Sequence, residues 1–170
     1  MQAPDPTDLP VLADAVMPSP EATAALAARL SGLLGPGDVL LLSGDLGAGK
    51  THFARALIQA LQARHGAPED VPSPSFTLVQ TYEAGDVEIW HADLYRLSDP
   101  WEVDELGLAE AFDNAICLVE WPDRLGPDLP ADALHVTLTM VPGAEDARRL
   151  VLSAARPGNW RDRLSRVLPR

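Results

Sequence analysis

The run Gly44-Asp45-Leu46-Gly47-Ala48-Gly49-Lys50-Thr51 fits the spacing G-x-x-x-x-G-K-[ST]. Residues of these types at this spacing hold phosphate. The glycines let the backbone curl, so that successive N–H groups point into one concavity sized for phosphate oxygens. A helix beginning there adds the positive end of its dipole. Lys50 can reach the terminal phosphates, and the Thr51 hydroxyl can sit on a magnesium ion that keeps most of its waters. Lys50 is also the only lysine in the chain, every other cationic position being arginine. A compact ammonium on a flexible stem fits inside a phosphate cradle, and a planar guanidinium does not. That weighs against a glycine-rich turn with an incidental lysine. The stretch reads as a nucleotide-binding loop, with His52 directly after it.

A phosphate loop needs a second acid to hold the metal, normally at the end of a neighbouring buried strand. Glu120, directly after the apolar run 115–119, is in that place and is expected to hold or polarise magnesium together with Thr51. His91 and Asp93 lie two apart in an extended segment, so strand alternation puts both on one face. Asp93 could orient the attacking water or act as base. A hydrogen-bonded structural pair is the alternative for His91 and Asp93. Ser73, Ser75 and Thr77 lie in a proline-stiffened stretch, either a nucleotide-sensitive switch or an ordinary strand-entry loop. Trp101 and Trp121 flank these residues and either belong to the core or stack on a base or partner. Zinc is not expected, because no third and fourth ligand appear at usable spacing. A guanine-reading [NT]-K-x-D motif would require a second lysine, so ATP is favoured over GTP.

The elements that must position these residues follow from periodicity and breakers. Ser19 caps a helix over 20–34 with Pro20 in its first turn, and Gly35-Pro36-Gly37 ends it. A buried strand at 39–42 feeds the phosphate loop, and a helix follows to about Arg64. Two prolines hold 71–76 extended. Strands at 77–82 and 87–95 flank a turn at 83–86 and are expected to pair antiparallel. A broken helix opened by Ser98-Asp99-Pro100 runs to Phe112, before the buried strand at 115–119. A hairpin over 135–141 and 149–154 turns at Pro142-Gly143, and a basic helix covers 159–168. Residues 1–18 read as extended, with a short strand near Val11-Leu12 at most. The fold class is α/β: a P-loop NTPase-like mixed β-sheet flanked by helices, with an antiparallel hairpin after the P-loop helix.

The bulk properties are consistent with this. A chain of 170 residues without an internal linker suits one domain over 1–170. No long apolar run predicts a membrane span. The N-terminal residues lack signal-peptide features, and the lone Cys117 fits a reducing compartment. The expectation is cytoplasmic. A net charge of −12 argues against non-specific nucleic-acid binding over the whole surface. The charge is uneven, with seven arginines and one acid from Arg148 to Arg170. That tail reads either as a solvated amphipathic helix or as a contact patch for RNA or an acidic partner.

GDLGAGKT at 44–51, SPSFTL at 73–78, HADLYRL at 91–97, ELG at 105–107 and EW at 120–121 together resemble the TsaE (YjeE) family over roughly residues 20–140. The resemblance implies a small bacterial P-loop ATPase. Its members work with TsaB and TsaD in attaching a threonylcarbamoyl group to the adenosine beside the anticodon of tRNA, and ATP hydrolysis is thought to reset that complex. The tRNA is met indirectly, through the partners. By position, the family pattern implies Lys50 on the phosphates, Thr51 and Glu120 at magnesium, Asp93 as an essential acid near the γ-phosphate, and Trp121 beside the site. Two residues depart from it: His52 replaces a second threonine, and Ser75 stands where SPTF is usual. A small-molecule phosphotransferase and a non-hydrolysing nucleotide-dependent adaptor are the competing functions. The hairpin and the scarcity of arginine between Arg64 and Arg124 count against the first.

Overall fold

The computed structural model describes residues 4–99 and 101–168. Its strands are β1 (Val11–Met17), β2 (Val39–Ser43), β3 (Val79–Ala84), β4 (Val87–Asp93), β5 (Ile116–Glu120), β6 (Leu134–Val141) and β7 (Ala144–Ser153). Its α-helices are α1 (Pro20–Ser31), α2 (Lys50–Ala63), α3 (Glu102–Glu105), α4 (Leu108–Asn114) and α5 (Pro157–Leu164). The seven strands form one sheet in the order β1-β7-β6-β2-β5-β4-β3. β4, β5, β2 and β6 run parallel. β3, β7 and β1 are antiparallel to their neighbours. The mixed sheet and the β3–β4 hairpin expected from the sequence are both present.

Alternation along β2 sorts the core into two layers. Leu40 and Leu42 pack with Leu26, Leu30, Phe53 and Leu57 of α1 and α2. Val39 and Leu41 face the other way, into a cluster with Leu108, Ala111, Cys117 and Val119. Strands covered on both faces must be continuously apolar, and β2 and β5 are buried along almost their whole length. Burial pushes the Cys117 thiol up to about 12, so it stays protonated and unreactive.

The element boundaries differ from expectation for local reasons. The Ser19 hydroxyl accepts from the Ala22 N–H at 3.1 Å, the predicted cap. α1 nevertheless stops at Ser31, where 3₁₀-type bonds from Gly32 and Leu33 back to Arg29 and Leu30 tighten the last turn. β4 ends at Asp93, because the Leu94 N–H turns to the Glu120 carbonyl and the Tyr95 N–H to Asp93 Oδ1. β1 is a full seven-residue strand. β7 starts five residues before the expected 149, because the turn at Pro142-Gly143 is tight. α5 starts at Pro157 and ends at Leu164. Pro100, expected to open the broken helix, lies outside the described residues, as do Met1–Ala3 and Pro169–Arg170.

Most arginines of the basic tail are exposed, and several of them are paired. Arg149 pairs with Asp14 at 2.5 Å, Arg163 with Asp38 at 2.5 Å, and Arg156 with Asp132 at 3.5 Å. Arg148 reaches the phosphate loop. Only the Arg163–Asp38 pair is substantially covered and ties α5 to the residue before β2; the pairs of Arg149 and Arg156 lie between exposed side chains and hold little. Among the described residues, no helix is long and apolar enough to cross a membrane.

Candidate nucleotide and metal site

The phosphate loop connects β2 to α2 at the carboxyl end of the parallel strands. A β-carbon on Gly44 would lie 2.5 Å from the Leu138 carbonyl oxygen, so only glycine lets the loop pass so close to β6. Gly49 precedes α2 in the left-handed region, at φ 106°, where glycine carries no steric penalty. Lys50, first residue of α2, donates to the carbonyl oxygens of Gly44 at 2.5 Å and Asp45 at 3.0 Å. Ala48 is buried behind the loop, and its N–H returns to the Asp45 carbonyl. Leu46, Gly47, Gly49 and His52 line the opening.

The other half of the site comes from the ends of β4 and β5, whose register sets Asp93 opposite Glu120. The Thr51 hydroxyl donates to Glu120, with Oε1 at 2.9 Å and Oε2 at 3.0 Å. His91 is fully buried, and its Nε2 lies 2.7 Å from Glu120 Oε2. Its Nδ1 is buried with no partner. A stranded N–H would carry its full desolvation cost, so the proton sits on Nε2 and is donated to the carboxylate. Of the two alternatives open for His91 and Asp93, His91 takes the structural position, beneath Glu120 and out of contact with the cavity. Asp93 faces the cavity.

Trp121, directly after Glu120, adopts left-handed backbone at φ 59°. That conformation costs a non-glycine residue about 1–2 kcal/mol. It turns the ring over Lys50, with Nζ 4.1 Å from the centroid, a cation–π contact in a partly desolvated setting. Tyr95 packs against Trp121 with the rings tilted by 45° and centroids 4.8 Å apart. The resulting cavity, about 350 Å³, holds Lys50, Thr51, Asp93, Tyr95, Glu120 and Trp121 on one wall, with Ser73 and Ser75 at its edge. Thr77 accepts from Gln80 instead, and Trp101 is exposed and away from the cavity.

The electrostatics match this crowding. Burial pushes the Lys50 ammonium below the usual lysine range, with Glu120, Asp93 and Asp45 acting in the opposite sense. Burial raises the Asp93 carboxyl, partly offset by the Tyr95 N–H, and the charge of Glu120 raises it further. Two carboxylates beside one ammonium would repel a polyphosphate unless a cation came with it. The oxygens of Thr51 and Glu120 suit magnesium, which takes one or two protein oxygens and completes its shell with water and phosphate. Among the described residues no group of three or more His, Cys, Asp or Glu gathers to hold a metal, as zinc would need.

A family model, the threonylcarbamoyl adenosine biosynthesis protein TsaE, matches residues 17–150. The chain belongs to the TsaE family. A tRNA threonylcarbamoyladenosine biosynthesis protein TsaE of Bacillus subtilis is 37% identical over 153 residues, covering 89% of this chain and 90% of its own. One of Rickettsia conorii is 42% identical over 120 residues, covering 71% and 67%. The crystal structure of Bacillus subtilis YdiB superposes with a TM-score of 0.71 at 32% identity, over 91% of both chains.

Within this TsaE fold the structure gathers Lys50, Thr51, Asp93, Glu120 and Trp121 as the sequence reading grouped them. It adds two residues that reading passed over. Tyr95 could have been found, since it follows Asp93 by two positions. Arg148 gave no local signal. Its Nε donates to the Ala48 carbonyl at 3.0 Å and Nη2 to that of Gly47 at 3.3 Å, from a strand a hundred residues away. In a trans peptide the N–H points opposite to the C=O. Holding the Ala48 carbonyl outward therefore aims the Gly49 N–H into the cradle.

Proposed function

We propose that this protein is a magnesium-dependent ATPase, acting as one domain over residues 1–170, that serves threonylcarbamoylation of the adenosine beside the tRNA anticodon in the cytoplasm. It works with a TsaB–TsaD complex and meets tRNA through those partners. The observation that carries this reading is the convergence of Lys50, Thr51, Asp93 and Glu120 on one cavity at the phosphate loop, in a chain of the TsaE family. The loop from Gly44 to Thr51 binds the phosphates through its N–H groups, and Lys50 exchanges the carbonyls of Gly44 and Asp45 for β- and γ-phosphate oxygens. Thr51 and Glu120 hold a magnesium ion, which supplies positive charge against the phosphate oxygens when bound. Asp93 orients the attacking water and takes up its proton. The water oxygen bonds to the γ-phosphorus, the bond to the β,γ-bridging oxygen breaks, and ADP and phosphate leave. Trp121 and Tyr95 cover Lys50 and keep bulk water from it.

No arginine is among the described residues that line this cavity. Arg55 bonds the Val71 carbonyl, Arg124 the Leu97 carbonyl, and Arg96 stacks on Phe76. Phosphate-loop enzymes lacking a placed arginine are slow until one is supplied, which can raise the rate by about a thousandfold or more. The isolated protein is therefore expected to turn ATP over slowly and to be strongly stimulated by a TsaB–TsaD complex. Steady-state phosphate release with and without those partners tests this. Robust turnover by the protein alone, unchanged by them, overturns the proposal.

His91 gives a second expectation. His91→Leu leaves Glu120 without its buried donor and lowers Mg·ATP affinity by about 10–100-fold, the usual effect of removing a partner from a metal ligand. His91→Gln, which presents an N–H near the same place, recovers part of that loss. Titration calorimetry at several magnesium concentrations separates the two variants.

A further inference from the structure

A cavity of about 300 Å³ lies apart from the nucleotide site and holds a buried histidine that the proposed reaction does not use. It sits between the N-terminal segment, the end of β2, the 3₁₀ segment Pro122–Asp128 and the start of β6. None of its lining residues borders the nucleotide cavity. We propose that this cavity binds a small organic cation, an aliphatic amine or guanidine, through His135, Asp5 and Asp123. The N-terminal segment is anchored over it. The Ser153 hydroxyl donates to the Pro6 carbonyl at 3.1 Å, and the Ala154 N–H to the Pro10 carbonyl at 3.2 Å. The cavity therefore belongs to the fold and is not a gap beneath an unattached end.

His135 carries the argument. The ladder sets it opposite Leu41 of β2 and Ser153 of β7, and 5% of its surface is exposed. It borders the cavity. Among the described residues, the hydrogen bonds of histidine side chains belong to His52 and His91, so neither ring nitrogen of His135 has a partner there. Burial pushes the imidazole below the ordinary histidine value. At neutral pH it is therefore uncharged and presents one acceptor nitrogen. A buried polar atom left unmatched costs free energy, and a donor seated in the cavity removes that cost.

The rest of the lining sets the charge of that donor. Among the described residues at the cavity, the charged side chains are the carboxylates of Asp5 and Asp123, with no lysine or arginine. Arg124 lies 3.9 Å from Asp123, but it turns to the Leu97 carbonyl and does not border the cavity. Hydrogen bonds from the Thr7 hydroxyl and N–H hold the Asp5 carboxyl below the usual carboxylate range, so it is ionised. Two negative charges disfavour an anion. A metal ion is not served either, because no group of three or more His, Cys, Asp or Glu gathers among the described residues. A cation that donates N–H groups fits what is left. Pro4, Pro6, Pro122 and Leu129 offer apolar wall to its methylene stem, and the Ser43 hydroxyl offers a further acceptor.

Agmatine, which joins a guanidinium to an ammonium through a short methylene chain, is the probe. The full chain is titrated with it at about 0.15 M salt, where distant exposed charges are screened, and the histidine ring nitrogens are followed by NMR. Saturable binding is expected to move the His135 shifts and to leave those of exposed His65 in place. His135→Leu is expected to weaken binding by about tenfold or more, the scale of one hydrogen bond to a charged group. Asp123 is largely exposed, so Asp123→Asn is expected to cost up to about fivefold, the range of an exposed ion pair. Asp86→Asn removes the same charge at the β3–β4 turn and is expected to change nothing. Should His135→Leu fail to fold, the shifts and the Asp123→Asn and Asp86→Asn pair decide. No binding, His135 shifts unmoved at saturation, a folded His135→Leu that binds as tightly as the parent, or equal weakening by Asp123→Asn and Asp86→Asn overturns the proposal. Each of these leaves the ATP-site reading as it stands, because probe and substitutions lie outside the nucleotide cavity.

Discussion

Lys50→Ala is expected to lower Mg·ATP affinity by at least about a hundredfold. The substitution removes the one cation facing the β- and γ-phosphates, and a hydrogen bond to a charged group is worth about 1.5–3 kcal/mol. Two such bonds account for the loss. Neighbouring charge deepens it, because Asp93 and Glu120 remain in the cavity with no fixed positive charge against them. Lys50→Arg is expected to fare little better. The guanidinium is planar and wide, and the space for it is bounded by the Trp121 ring on one side and the Gly44 and Asp45 carbonyls on the other. Calorimetry on the purified variants measures both effects. A variant at position 50 that binds Mg·ATP as tightly as the parent shows that the lysine belongs to the loop's own structure.

Asp93→Asn should divide binding from turnover. It keeps the shape and the acceptor for the Tyr95 N–H while removing the charge that takes up a proton. Partner-stimulated hydrolysis is expected to fall at least about a hundredfold, the low end for a lost acid–base group, with ATP still bound. The same substitution should stabilise the fold. Burial raises the Asp93 pKa, so the folded protein binds a proton at Asp93 more readily than the unfolded chain does. The ionised carboxylate therefore opposes folding above its folded-state pKa, and the penalty fades as pH falls through that value. Asp93→Asn removes the penalty. Its Tm is expected to exceed the parent's at neutral pH, by roughly 2–4 °C for each kcal/mol relieved in a chain of this size, and the gap should close on acidification. A rate unchanged by Asp93→Asn places Asp93 in the scaffold.

The site was readable in the sequence because its parts are local. A phosphate loop is one contiguous stretch, and Glu120 announces itself by following an apolar run that must be a buried strand. The alternation rule placed His91 and Asp93 on one side of β4, and the side chains do meet Glu120 and its cavity from there. What escaped was long-range. Only Val11-Leu12 hinted at a strand there: Ala13, Asp14 and Ala15 interrupt the pattern, and the seven-residue length of β1 is set by its ladder with β7. The arginines from 148 onward read as a charge run, and the contacts of Arg148 with Ala48, Arg149 with Asp14 and Arg163 with Asp38 were not visible in it, because those partners lie about a hundred residues or more earlier in the chain. The role of Arg148 behind the phosphate loop depends on the sheet bringing β7 beside β6, and no local pattern encodes that. The end of β4 was misjudged for a different reason. Asp93 accepts from the Tyr95 N–H, a competition between side chain and ladder that hydrophobic periodicity does not report.

One feature of Lys50 makes the molecule convenient to handle. It carries the only ε-amino group in the chain, and that group is covered by an indole and nearly buried, with 4% of the residue's surface exposed. Acylating reagents that scatter over the lysines of most proteins would find a single side-chain target here, inside the cavity that ATP is proposed to fill. The extent of modification at Lys50, read by peptide mass, thus becomes an occupancy meter without a label or an engineered cysteine. The other side-chain cations are guanidinium groups, which such reagents leave alone, so only the α-amino group has to be distinguished from Lys50.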